Sequence, residues 1–248
     1  MEGTAVRGRL TWQVATATAI RSETSSVRTI GLDVPDWPGH RAGQHLDVRL
    51  TAEDGYRAER SYSIASAPGE APAITVERLD DGEVSPYLTE ELRTGDELEV
   101  RGPIGGYFVW DPADDPVPLL LVAGGSGIVP FRSMLRHRDR TGSNVPVGLL
   151  YSARSLPDVI YRDELEHPRD GVQVTCTLTR QQPAGWTGPA RRVDDAMLGE
   201  VAWPVGQDPL AFVCGPTPFV EAVAAGLVKL GYPAGRVKTE RFGAAGGK

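Results

Sequence analysis

The chain has 248 residues, 40% of them hydrophobic and 24% charged, the make-up of a globular protein with apolar material for one large core or two ordinary ones. Its formal charge of -7 argues against a nucleic-acid partner. Cys176 and Cys214 are the only cysteines, too few for a disulfide framework or for the thiolate set of an iron–sulfur cluster, so electron chemistry here calls for an organic cofactor.

No uninterrupted apolar stretch reaches the roughly eighteen residues of a membrane span, and Met1 to Leu10 lacks the apolar run of a secretory signal. The expectation is a cytoplasmic protein that touches neither membrane nor nucleic acid. A monomer is expected as well, because no apolar face stands out beyond what the cores would use.

From Trp12 to about Arg101, short apolar runs alternate with polar residues: Trp12–Ile20, Val27–Val34, His45–Leu50, Ser61–Ala65, Ile74–Leu79 and Glu97–Val100. Broken by Gly and Pro turns, these predict antiparallel strands closing a small barrel, with one helical stretch at Ser85–Leu92. The segment Asp111-Pro-Ala-Asp-Asp-Pro-Val-Pro118 resists regular structure through its three prolines and its acidic residues. It divides the chain into residues 1–111 and 112–248.

Beyond it the pattern changes. Leu119–Ala123, Val147–Tyr151, Val172–Thr177 and Leu210–Cys214 suit strands buried on both faces, separated by helical stretches at Pro130–Arg138 and Pro218–Leu230. That alternation predicts a parallel α/β domain.

Three places in this second half carry chemistry. In Leu119-Leu-Leu-Val-Ala-Gly-Gly-Ser-Gly-Ile-Val-Pro-Phe131, a buried strand runs through a glycine turn into a helix. Gly124, Gly125 and Gly127 allow close approach of a diphosphate, and the first helical amides supply partial positive charge. The second strand ends in Tyr151-Ser-Ala-Arg-Ser155, without the acidic residue that accepts bonds from an unphosphorylated adenine ribose, and Arg154 stands where a 2'-phosphate would be welcome. The third strand ends in Thr179-Arg180, a hydroxyl and a second guanidinium suited to phosphate oxygens, which favours NADPH over NADH. Last, Phe212-Val-Cys-Gly-Pro-Thr-Pro218 brings Cys214, Gly215 and Pro216 to the carboxyl edge of the sheet, where ligands of open α/β folds collect.

In the first half, Arg60-Ser-Tyr-Ser63 sits on a predicted strand. A period of two sends Arg60 and Tyr62 to one face and Ser61 and Ser63 to the other. An arginine beside an aromatic ring serves a charged planar ligand or an ordinary strand equally well.

The order of segments is more specific than any one of them. Arg60-Ser-Tyr-Ser63, Gly82-Glu-Val-Ser85, Gly102-Pro-Ile-Gly105, Ala123-Gly-Gly-Ser-Gly-Ile-Val-Pro130, Cys214-Gly-Pro216 and Glu240-Arg-Phe242 together resemble the ferredoxin-NADP reductase family in its compact bacterial form, from about Trp12 to Phe242. The resemblance implies an N-terminal antiparallel Greek-key β-barrel that binds FAD, followed by a C-terminal α/β domain with a parallel, Rossmann-like sheet that binds NADPH. It implies a flavoprotein that takes hydride from the nucleotide onto FAD and passes single electrons to a separate acceptor, a ferredoxin, an oxygenase or another metalloenzyme.

Roles follow residue by residue from the resemblance. Arg60 would bind the FAD pyrophosphate within the Arg60-Ser61-Tyr62-Ser63 seat, Tyr62 would lie against the isoalloxazine ring, and Ser63 would hydrogen-bond near its N5. Glu77 and Arg78 would contribute backbone contacts at the ring edge, and Glu83, Val84 and Ser85 would begin a helix whose amides face the pyrophosphate. Ser126 and Gly127, beside Gly125, match the family's diphosphate pair; Arg154, Thr179 and Arg180 resemble its 2'-phosphate contacts. Cys214 and Glu240 resemble the residues around the nicotinamide and flavin N5, so that Ser63, Cys214 and Glu240 form the expected catalytic set.

Two departures stand out. Plant-type members end on an aromatic residue stacked over the flavin, whereas Phe242 here is followed by Gly243-Ala-Ala-Gly-Gly-Lys248. The sequence also shows no iron–sulfur module, so the acceptor is expected to be another chain or a small molecule. A free flavin reductase, an FAD-bearing subunit of a larger redox complex, and a dinucleotide sensor without turnover are the alternatives.

Overall fold

A computed structural model of the protein describes residues 10–242. In the first half, six strands form one antiparallel sheet: β1 (Gln13–Ser22), β2 (Val27–Asp33), β3 (His45–Thr51), β4 (Arg57–Ser63), β5 (Ala73–Glu77) and β6 (Glu97–Ile104), in the order β4-β3-β6-β1-β2-β5. The outer strands β4 and β5 meet through a single bridge, Ile64 to Ile74, which curls the sheet into a barrel joined at one point. Alternation drives this: Ile30 and Leu32, Leu46 and Val48, Ile74 and Val76, Leu98 and Val100 all point into one core. A short π-helical turn, Tyr87–Glu91, closes an end of the barrel with Leu88 and Leu92 fully buried.

The second half is a five-stranded parallel sheet in the order β11-β10-β7-β8-β9, built from β7 (Leu119–Gly124), β8 (Val147–Ala153), β9 (Val172–Leu178), β10 (Leu210–Pro216) and β11 (Val237–Phe242). The continuous apolar run of β7 has a direct explanation in its two covered faces. Leu119, Leu121 and Ala123 pack with Phe131, Met134 and Leu135 of α1 (Val129–Arg140). Leu120 and Val122 pack with Met197 and Leu198 of α3 (Asp195–Val201) and Val220, Val223 and Leu227 of α4 (Thr217–Lys229). A one-turn α2 (Arg162–Glu166) lies between β8 and β9 in the chain. The strand order reverses between β7 and β10, where open α/β sheets form their ligand crevice.

Three elements differ from expectation. The fourth barrel strand begins at Arg57 instead of Ser61, because its pairing with β3 extends to Thr51 against Arg57 and does not require apolar residues at a half-exposed edge. The helix expected over Ser85–Leu92 is present over residues 85–91, but from Tyr87 to Glu91 it winds as a π turn. The fifth parallel strand, Val237–Phe242, reads as polar and was not signalled; it pairs with β10 along its whole length.

The halves share a core in which Val27, Ala42, Ala65 and Trp110 meet Phe131 and Ile160. Polar contacts lock the joint. Ser133 Oγ donates to the Ser66 carbonyl at 2.6 Å, Arg132 reaches the Ala65 carbonyl at 3.2 Å while gripping Glu164, and the Tyr161 hydroxyl donates to Thr75 Oγ1. Tyr161 adopts this pose at a left-handed φ of 59°, rare for a bulky side chain.

Candidate functional site

The glycine turn after β7 does two separate jobs. At Gly125, φ is +55° and a Cβ would meet nothing within 4 Å, so the chain turns sharply and leaves open space above it. At Gly127 a Cβ would come within 2.1 Å of the Cys214 carbonyl oxygen, so this glycine lets the turn press against the end of β10. Ser126 between them is half-exposed in the short 3-10 turn Gly125–Ile128 that leads into α1. This is a cradle an anion can approach and a side chain would fill.

On one side of the cradle, the Arg154 carbonyl accepts bonds from the Arg180 and Gln181 amides, at 2.9 and 3.1 Å, which sets Arg154 and Arg180 side by side at the sheet edge. Neither guanidinium has an ion-pair or hydrogen-bond partner among the described residues. Thr179 Oγ1 donates to the Ala153 carbonyl at 3.2 Å and keeps its lone pairs free. Close by, Asp158 was not singled out from the sequence; its carboxylate accepts from Ser155 Oγ at 2.6 Å.

On the other side, β10 and β11 set Cys214 opposite Glu240 in register. Burial and the neighbouring Glu240 push the Cys214 thiol well up, so it stays a neutral, packed side chain. Burial alone pushes the Glu240 carboxyl up to about 7. Gly215 lies against Gly124 and the Phe219 ring, and a Cβ there would sit 2.8 Å from that ring. Pro216 and Phe242 end the two strands in register and are exposed.

In the barrel, the register that opposes Leu46 to Tyr62 and Val48 to Arg60 puts Tyr62 and Arg60 on the core-side face of β4. Both remain half-exposed where β4 and β5 diverge. Ser61 faces the other way and donates to Asp47 Oδ1 at 2.6 Å, which leaves its backbone alone for a ligand. Ser63 is half-buried at the end of β4, and its hydroxyl has no partner among the described residues. Arg60 is engaged by Glu83 at 3.0 Å, and Glu83 also accepts from the Tyr56 hydroxyl at 2.6 Å. Arg78 pairs with Asp80 at 3.0 Å and with Glu90, while its amide donates to the Ser26 carbonyl at 2.8 Å. Val84 is in the barrel core, and Ser85 Oγ accepts from the Leu79 amide at 3.0 Å, closing the turn that holds Glu83.

Part of this set converges on one cleft of about 220 Å³ between the halves, whose lining does not include Arg60, Tyr62, Arg180 or the expected catalytic residues Ser63, Cys214 and Glu240. Its walls include Glu77 of β5, Gly124 and Gly125, Arg154, Thr179, Pro216 and Phe242, joined by Thr24, Ser26, Asp158 and Phe219, which sequence reading missed. Glu83 instead lines a separate groove of about 630 Å³ at the end of the barrel, with Tyr56 and Tyr87. The two sets fit their expected ligands: an open glycine cradle flanked by free guanidiniums for a dinucleotide, and an unclosed barrel edge with an arginine and a tyrosine for a flavin. No helix among the described residues is long and apolar enough to cross a membrane.

Comparison with known proteins agrees with this division. Residues 13–109 match the oxidoreductase FAD-binding domain and residues 121–225 the oxidoreductase NAD-binding domain. The fold is that of the flavohem-like FAD/NAD binding domain of nitric oxide dioxygenase from Vibrio cholerae, with a TM-score of 0.82 at 22% identity over 93% of this chain and 98% of that one. A glycine betaine monooxygenase reductase subunit of Chromohalobacter salexigens is 37% identical over 90% of this chain, which spans 62% of that protein's length. Ferredoxin–NADP reductase B of Sorangium cellulosum is 36% identical over 238 residues, 90% of this chain and 95% of its own length. With both domains in order, the barrel and parallel sheet in place and a relative matched almost end to end, the chain belongs to the ferredoxin-NADP reductase family of FAD- and NAD(P)-binding oxidoreductases.

Proposed function

We propose that the chain takes hydride from a reduced pyridine nucleotide, NADPH in preference to NADH, onto FAD, and passes the electrons singly to a separate acceptor protein. The acceptor class is a ferredoxin-like protein, an oxygenase or another metalloenzyme, in line with the oxygenase reductase subunit and the ferredoxin reductase among its relatives. The observation that carries the reading is the cleft in which the carboxyl edge of the parallel sheet meets the end of β5 and Phe242.

In this reading residues 1–111 hold the flavin and 112–248 the nucleotide. FAD, when bound, supplies two-electron acceptance and one-electron release; the protein supplies orientation and electrostatics. Arg60 leaves Glu83 for the pyrophosphate, helped by amides at Glu83, Val84 and Ser85. Tyr62 provides an apolar wall for the ring, Glu77 and Arg78 offer backbone groups at its edge, and Ser63 holds a hydroxyl free for hydrogen bonding near N5. Gly125, Ser126 and Gly127 cradle the diphosphate, and Arg154, Thr179 and Arg180 face the 2'-phosphate. Cys214, Gly215 and Pro216 shape the nicotinamide slot, Phe242 covers its mouth, and Glu240 holds a proton at its carboxyl near neutral pH.

Ser63→Ala tests the reading. It should leave FAD bound yet slow flavin reduction in stopped flow by roughly 10- to 100-fold, the scale of one lost active-site hydrogen bond. An unchanged rate contradicts the assignment. Loss of the yellow colour on gel filtration would instead mark a free flavin reductase.

A further inference from the structure

The cleft holds three charged side chains, Glu77 on the barrel side and Arg154 with Asp158 on the nucleotide side. Dinucleotide sites generally settle the adenine ribose in one of two ways: a carboxylate accepts a bond from the 2'-hydroxyl of NADH, or an arginine meets the 2'-phosphate of NADPH. Here both groups stand at the same edge, four positions apart in the chain. Neither is consumed by the other, since no ion pair joins them among the described residues.

The carboxylate is also held in place. After β8 the chain passes Ser155 in extended conformation and turns at Leu156–Asp158. The Asp158 amide donates to the Ser155 carbonyl at 3.1 Å, and its carboxylate accepts from Ser155 Oγ at 2.6 Å. The next residues, Val159, Ile160 and Tyr161, are buried, and the Ile160 amide donates to the Tyr151 hydroxyl at 3.2 Å. Arg154 is anchored from the other direction through its carbonyl to Arg180 and Gln181. The Asp158 carboxylate is therefore held by its own turn, and the Arg154 backbone is anchored to the sheet beside it.

We propose that Asp158 is a coenzyme-selecting residue: its carboxylate opposes the 2'-phosphate of NADPH and accepts a bond from the 2'-hydroxyl of NADH, tempering the preference set by Arg154. The inference rests on the reading that this cleft takes a reduced pyridine nucleotide. It differs from that reading in setting a carboxylate against the phosphate-binding contacts Arg154, Thr179 and Arg180 that the sequence suggested.

The test uses the flavin-loaded protein and two fragments, 2',5'-ADP and 5'-ADP, whose binding is followed by calorimetry beside flavin reduction by each nucleotide. Asp158→Asn keeps an acceptor for Ser155 and removes the charge. It should tighten 2',5'-ADP on the order of tenfold, leave 5'-ADP unchanged or weaker, and raise the NADPH-to-NADH ratio of kcat/KM by a similar factor, the scale of one like charge near a phosphate. Asp158→Ser, neutral but of different shape, should move the ratio in the same direction. If both variants change the two fragments alike, or change neither, Asp158 is only a turn residue and the inference fails. Wild-type flavin that neither nucleotide reduces would instead overturn the underlying reading.

Discussion

Glu240 shows how one residue ties stability to chemistry. Its carboxyl moves from the ordinary 4.5 to about 7 on folding because it is taken out of water without a compensating partner. Between those values the folded chain binds a proton the unfolded chain does not, so stability falls as pH rises through the window, and the loss is complete above about pH 7. Glu240→Gln should therefore be more stable than the parent by about 2 kcal/mol at pH 8, a gap that closes near pH 4 in urea titrations. Glu83 makes the complementary case at the surface. Its pairing with Arg60 competes with a pyrophosphate, so Glu83→Ala should tighten FAD about two- to fivefold at low salt, read by flavin fluorescence, as suits an exposed ion pair. Arg154→Ala with Arg180→Ala should raise the KM for NADPH at least about tenfold more than that for NADH; equal effects would contradict their role. The arginines were legible because an arginine at the end of a predicted strand is a local pattern. The Arg60–Glu83 pair was not, because its members are far apart in sequence and meet only when the barrel closes.

Among the elements, the turn after β7 was readable as a glycine cradle, yet sequence alone gave its glycines one common purpose. The structure separates them. Gly127→Ala would drive a methyl to 2.1 Å from the Cys214 carbonyl, and the strand end or the turn must yield. A loss of about 2–4 kcal/mol with failure to bind nucleotide is expected. Gly125→Ala meets no atom and pays only for its left-handed φ, about 1 kcal/mol. Equal melting temperatures for the two variants would contradict this division. The strands of the parallel sheet were legible where both faces are covered, as in β7. β11 was not, because Val-Lys-Thr-Glu-Arg-Phe alternates like a polar edge, with Lys238 laid over the Phe212 ring and Glu240 withdrawn from water on the same face. Its only strand partner among the described residues is β10, so no doubly buried apolar run announces it.

At the scale of the whole molecule, the two halves are distinct in sequence grammar but joined by buried groups: Ser133 on the Ser66 carbonyl, Arg132 on the Ala65 carbonyl and Tyr161 on Thr75. Breaking that joint strands polar groups in an apolar seam, so thermal unfolding should follow one transition by near-ultraviolet dichroism and by flavin release alike; two separated transitions would show independent halves. The proline-rich Asp111–Pro118 joint was legible because composition marks it, whereas the docking of α1 on the barrel depends on partners scattered through the chain. This joint places the carboxyl edge of the sheet against the end of β5, which is the arrangement that hydride transfer between two bound cofactors needs. The most direct test is an anaerobic titration of the purified protein with NADPH and, separately, NADH, following the visible absorbance of its flavin. The account predicts a yellow protein bleached by NADPH at lower concentration than by NADH; a protein that binds no FAD, or whose flavin neither nucleotide reduces, would contradict it.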